Sequence, residues 1–167
     1  MTSLHKFSLV LLALTATSLA QSGSTFYVSK SGSNSNSGSY TAPWLTIQHA
    51  ASTVTAGATV YVETGTYNES VNFPNSGTSS NPITFANYPG ETTTIDGTGL
   101  TVSGTQGLIN IVNGSYITIN GFQIQNYTTS KAAATPAGIW ITGSGTLMRP
   151  CRIFVSWRWA GRRSGRA

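Results

Sequence analysis

The sequence predicts an all-β protein: a parallel β-helix, a solenoid of short strands lying under a short N-terminal capping helix. Between Ile109 and Asn126 apolar residues alternate at Ile109 and Ile111, then at Ile117 and Ile119, and after Gly121 the phase slips to Phe122 and Ile124. Alternation marks strands with one buried face, and a slip at a glycine marks a corner. Thr94-Ile95-Asp96-Gly97 also echoes as Thr118-Ile119-Asn120-Gly121, an offset of 24 residues. Short strands with corners at such a period are the signature of stacked coils. The gaps between strands are too short for crossover helices, which argues against a doubly wound sheet. An antiparallel sandwich is the competing architecture, and the echo favours the solenoid. Taken literally, it predicts that Ile95 stacks on Ile119 and Asp96 on Asn120.

Composition agrees. Only 8% of the 167 residues are charged and 39% are hydrophobic, which suits one β-rich extracellular domain. The net charge of +5 suggests nucleic acid until its distribution is read. All six arginines lie at or after Arg149, and before that point three lysines face four acids. The basicity belongs to the tail, so no nucleic-acid partner is expected.

In chain order, residues 1–20 read as a signal peptide. His5 and Lys6 precede an apolar run from Phe7 to Leu14, and Ser18-Leu19-Ala20 offers small residues for cleavage. The run is far shorter than the ~20 residues of a membrane span, so a secreted chain with no membrane span after cleavage is expected. Residues 21–58 form an N-terminal strand at Phe26-Tyr27-Val28, a Ser/Asn/Gly loop and a capping helix. Ile47, Ala50, Ala51 and Val54 have helical spacing, with Thr46 to cap the start, Leu45 as a staple and Gly57 to end it. Residues 59–146 hold the first coils, with strands expected at 59–63, 69–73, 82–85, 92–96 and 100–102, then through the 109–126 stretch. Ala137-Gly138-Ile139-Trp140-Ile141 reads as the next lap's version of Gly107 to Ile111. Leu100 to Ile109 spans 9 residues and Ile124 to Ile139 spans 15, which implies six extra residues within Tyr127 to Pro136. Residues 147–167 share none of this composition and read as an aberrant basic tail from a frameshifted end. On that reading Ile139 to Thr142 is left with an open edge, and the tail adds little stability. The lone Cys151 permits no internal disulfide.

The order FYVSKSG, Ser/Asn/Gly loop, PWLTIQHAA, TVYVETGTYNESVNF and SSNPITFANYPGETTTIDG resembles the cap and first coils of secreted right-handed parallel β-helix proteins. The likeness is greatest to the pectate lyase-like group, polysaccharide lyase families 6 and 9. It implies a right-handed helix and a polysaccharide partner, above all a polyuronate. In the full-length relative it implies β-elimination, with calcium neutralising the uronate carboxylate and a Lys or Arg taking the proton. A non-catalytic carbohydrate-binding or surface module is the alternative, since one fold hosts both.

Calcium asks for 6–8 oxygen ligands, and this chain has only Glu63, Glu69, Glu91 and Asp96. The expectation is no cofactor in this chain and no catalytic residue that the sequence identifies, with Asp96 in an inter-coil polar ladder and Glu63 and Glu69 solvated at strand ends. Lys30 and His49 make poor bases, the first remote from acids in sequence and the second offset from the helix's apolar stripe. The candidate carbohydrate-binding residues are Trp140, Tyr127 and Lys131. Trp140 alternates against inward Ile139 and Ile141, so its flat face should point outward beside the loop that carries Tyr127 and Lys131.

Overall fold

The computed structural model describes residues 23–102, 104–128, 134–143 and 151–157, with 156 and 157 described by backbone only. The 1–20 segment, Lys131 and most of the basic tail lie outside these residues.

Ten strands and one helix follow in order: β1 (Thr25–Val28), α1 (Ile47–Thr53), β2 (Thr59–Val62), β3 (Gly65–Tyr67), β4 (Val71–Asn72), β5 (Ile83–Asn87), β6 (Thr93–Asp96), β7 (Thr105–Val112), β8 (Ile117–Gln125), β9 (Thr135–Thr142) and β10 (Arg152–Trp157). Every strand ladder among the described residues is parallel, and only β1 and β2 have a helix, α1, between them. From β2 onward, consecutive strands lie on different faces of a coil, and each pairs with its counterpart one lap away. The chain is a right-handed β-helix of about four turns with one short helix.

Three ladders run along the solenoid. The first joins β1, β2, β5, the first half of β8, and Arg152 to Phe154 of β10; the second joins β3, β6, the second half of β8, and Ser156 and Trp157 of β10; the third joins β4, β7 and β9. One strand serves two ladders because β8 bends at Gly121, whose φ is +82°. A Cβ there would collide with the Asn87 carboxamide of the previous lap, so the corner admits only glycine. Asn113 and Asn126 turn the strand ends with φ of 57° and 58°, a conformation that Asn tolerates better than most residues.

Inward residues stack in columns: Phe26, Val60, Phe85, Ile119 and Ile153; Tyr67, Ile95 and Ile124; Val71, Ile109 and Ile139. Full burial of each large side chain stabilises by about 1.5–3 kcal/mol. These columns correct the expected register. Ile95 stacks on Ile124 and Asp96 on Gln125, while Ile119 stacks on Phe85 and Asn120 on Ala86. The two look-alike tetrapeptides lie in adjacent ladders. The true lap is longer: 34 residues from Ile83 to Ile117 and 29 from Ile95 to Ile124.

The helix forms where expected and closes the upper end. Thr46 Oγ1 accepts from the His49 amide, and the Glu69 carboxylate accepts from Ile47 and Gln48 at 3.0 and 2.9 Å. Three amides that a helix start leaves without partners are thus satisfied. Gln48 exchanges hydrogen bonds with the Asn72 backbone at 2.7 and 3.1 Å, capping the upper edge of the third ladder as another strand would. The other helix end is closed by the Asn75 amide, which donates to the Val54 carbonyl at 2.8 Å. Gly57 is not the cap: Val54 already leaves the helix in an extended conformation, and Gly57 makes the next turn at φ +89°.

At the lower end, residues 152–157 add a strand that the tail reading did not include. Arg152–Trp157 is a strand parallel to β8, with Ile153 against Ile119 and a register shift between Phe154 and Ser156. Cys151, Ile153 and Val155 pack on the core while Arg152 and Phe154 face out, so the coil's alternation does resume. The arginine-rich composition masked it. Residues 100–102 form no strand.

Candidate functional site

The register relocates the loop that matters. Between inward residues of the second and third ladders, the first lap takes four residues (Tyr67 to Val71), the second 14 (Ile95 to Ile109) and the third 15 (Ile124 to Ile139). The third-lap loop is thus one residue longer than its predecessor, not six, because Leu100 is not the counterpart of Ile124. Growth comes a lap earlier, and both long connections lead into the third ladder. Their strands begin side by side, with Thr105 opposite Thr135 and the Thr135 amide donating to the Gly104 carbonyl at 3.0 Å.

Trp140 stands on β9 in register with Asn110 of β7, between Ile139 on Ile109 and Ile141 on Ile111. This is the pairing expected between 137–141 and 107–111. The indole is half-buried. Beneath it the Asn110 carboxamide closes on Gly107, accepting from its amide and donating to its carbonyl at 2.8 Å each, and reaches Ser70 Oγ at 3.2 Å. Tyr127 is also half-buried, at the root of the loop, with its ring side laid against Gly97 where any Cβ would collide. Its hydroxyl is buried with no hydrogen-bond partner among the described residues. Lys131 lies outside the described residues, so its relation to the other two is not described.

The carboxylates are engaged elsewhere. Asp96 Oδ1 accepts from the Thr98 amide at 2.7 Å, and Oδ2 accepts from Gln125 Nε2 at 2.8 Å and Asn126 Nδ2 at 3.0 Å. Burial alone would raise its pKa, but these donors outweigh burial and lower it to about 2. It is an inter-coil polar ladder, with Gln125 and Asn126 rather than Asn120 as partners. Glu69 is not a solvated strand end. Burial raises its pKa, opposed by the amides of Gln48 and Ile47 and by nearby Lys30. Glu91 accepts from the Thr64 amide. Lys30 places Nζ 5.2 Å from the centre of the Tyr67 ring, whose own hydroxyl donates to the Glu63 carbonyl. His49 packs edge-on against Trp44. No group of three His, Cys, Asp or Glu comes together among the described residues. These acids hold N–H groups on separate elements, so they do not fit the multi-carboxylate cage that calcium takes.

A second surface was missed in the sequence. Tyr27, Tyr40, Tyr61 and Tyr88 meet on the outside of the first ladder with ring centres 5.2–6.3 Å apart. The one signal available was an aromatic between inward residues in both Phe26-Tyr27-Val28 and Val60-Tyr61-Val62.

Residues 26–157 match the family model for the Pel9A-like right-handed β-helix region, so the match includes β10. The uncharacterized protein YwoF of Bacillus subtilis (strain 168) is 39% identical over 124 residues, 74% of this chain and 26% of its own. The pectate lyase PEL9 of Emericella nidulans is 42% identical over 73 residues, 42% of this chain and 18% of its own. Of solved structures, a rhamnogalacturonan lyase superposes with a TM-score of 0.56 at 23% identity, over 65% of this chain and 30% of that one, a likeness of fold alone. The chain spans about a quarter or less of the length of these curated relatives. No helix among the described residues is long and apolar enough to cross a membrane.

Proposed function

Because this chain belongs to the Pel9A-like right-handed β-helix family, we propose that it supplies the first coils of a secreted protein that binds and cleaves extracellular polysaccharide, polyuronate above all. The observation that carries this reading is the pair of long connections that lead into β7 and β9 one lap apart, with Trp140 on the same ladder. Loops that grow on one flank of a solenoid make its binding surface. Trp140 supplies a flat apolar face for a pyranose ring, Tyr127 anchors the loop at its root, and Lys131 within the loop supplies a positive charge for a uronate carboxylate.

The described residues hold and orient the polysaccharide rather than cleave it. β-Elimination of a uronate requires its carboxylate to be neutralised and the neighbouring proton to be removed. Here Asp96, Glu69 and Glu91 accept protein N–H groups, and no base stands beside a carboxylate cluster. In the full-length protein, calcium and the base would belong to coils beyond these. The match to the named lyase PEL9, over 18% of its length, supports the lyase reading for the full-length protein. The same engaged carboxylates favour a second reading, a non-catalytic carbohydrate-binding module.

Titrating this chain with oligogalacturonate tests the binding reading. We expect saturable binding that Trp140→Ala weakens by about tenfold, the equivalent of ~1.4 kcal/mol. Equal affinity for the variant would remove Trp140 from the site. Ultraviolet absorbance of unsaturated uronate should stay flat for this chain with calcium and rise for the full-length protein. A flat trace for both would favour the non-catalytic module.

A further inference from the structure

Outward positions of the first ladder form two columns that the binding site above does not use. Thr25, Thr59, Thr84 and Thr118 are in register along one. Tyr27, Tyr61, Ala86, Asn120 and Phe154 are in register along the other, one strand step of about 4.8 Å apart. Tyr88, two residues beyond Ala86, and Tyr40, from the loop over β1, complete a quartet. Tyr27 and Tyr61 lie 6.0 Å apart, Tyr40 meets Tyr27 edge-on at 5.2 Å and stacks with Tyr88 at 6.2 Å, and Tyr61 meets Tyr88 edge-on at 6.0 Å. Further along, Phe154 is 61% exposed, and Tyr40 is 60% exposed.

We infer that this face is a second binding surface, specific for an uncharged polysaccharide chain laid across the tyrosine quartet and the threonine column. Three features select that occupant. Ring faces rimmed by phenolic and threonine hydroxyls match a sugar chain, which offers flat C–H faces and hydroxyls at its edges. The two columns contain no aliphatic residue larger than Ala86, and Thr and Asn side chains flank the aromatic rings, so an occupant meets hydroxyls and amides as well as ring faces. Glu63, two residues beyond Tyr61 on the same strand line, and Glu91, three beyond Tyr88, outnumber Lys30, three beyond Tyr27, at the margin, and the columns carry no cation above Arg152. The net negative margin favours a neutral glycan over a polyuronate. The surface lies on a different ladder from Trp140, so the inference stands or falls separately from the proposed function.

Native electrophoresis through gels containing hydroxyethylcellulose, galactomannan, xyloglucan or polygalacturonate tests it. Tyr40→Ala/Tyr88→Ala is the informative variant because both rings lie on the surface, and circular dichroism checks its fold. We expect at least one neutral glycan to retard the wild-type chain independently of salt, the double variant to bind about tenfold more weakly, and Tyr40→Phe to retain most of the binding. Three results would overturn the inference: equal retardation of wild type and double variant, retardation by polygalacturonate alone, or retardation by none of the four. So would a wild-type dimer in sedimentation that the double variant converts to monomer, since the face would then be a contact between copies.

Discussion

The two ends of the solenoid carry the same alternating pattern and reach different degrees of burial. At the upper end Val28, Ile47 and Ala50 are fully buried, because α1 covers the first coil and Gln48, Asn75 and Glu69 bond its open backbone groups. At the lower end every residue of β9 from Pro136 to Thr142 is only half-buried, including Ile139 and Ile141, and so are Ile153 and Val155 of β10. Nothing in the local sequence of Ile141 distinguishes it from Ile111, its fully buried partner one lap up. Burial in a solenoid is a property of position in the stack, since each coil contacts only its neighbours.

The largest test of that contrast compares isoleucines in the middle and at the end. Ile119 is fully buried between Phe85 and Ile153, and Ile119→Ala should cost about 2–5 kcal/mol in denaturant unfolding. Ile141→Ala should cost about 1 kcal/mol, since half its surface is already in water. Equal costs would mean that Ile141 is covered by something further.

Acid should act next. Asp96 is lowered to about 2 from an ordinary 3.8, so its contribution is complete above about pH 4 and disappears as pH falls toward 2. The loss should be about 2 kcal/mol. Glu69 is raised, so its contribution has the opposite sign, present in acid and lost as pH rises through its folded value. Asp96→Asn should flatten the stability curve between pH 4 and 2, while Glu69→Gln should leave that range unchanged and flatten the curve above it. If Asp96→Asn left the acid sensitivity of the chain as it was, the hydrogen bonds from Thr98, Gln125 and Asn126 would add nothing to the fold. The smallest effect concerns the upper cap: Thr46→Ala should lower stability by about 1 kcal/mol, seen as a modest fall in Tm.

How much of this was legible follows from what is local. The helix at 47–53, the corner at Gly121, and the stacking of 137–141 on 107–111 all announce themselves within a few residues. The register of Ile95 does not. Thr-Ile-Asp-Gly and Thr-Ile-Asn-Gly alternate alike whether they run along the first ladder or the second, and loops of unequal length hide which. Because the loop comparison inherited that error, it placed the growth one lap late. The role of Glu69 was hidden because its partners lie 21 and 22 residues back, on the helix. The tyrosine quartet exists only once Tyr27 and Tyr61 are in register and a loop brings Tyr40 over them. Over 152–157, arginine content obscured an alternation that Ile153 and Val155 keep.

Amide hydrogen exchange along the first ladder is the most direct test that each lap is held by the next. The stack predicts strongest protection in β5 and β8, with weaker but measurable protection in β10, where Ile153 pairs with Ile119. Free exchange across 152–157, with β8 exchanging as an open edge, would contradict the stack and return those residues to the tail.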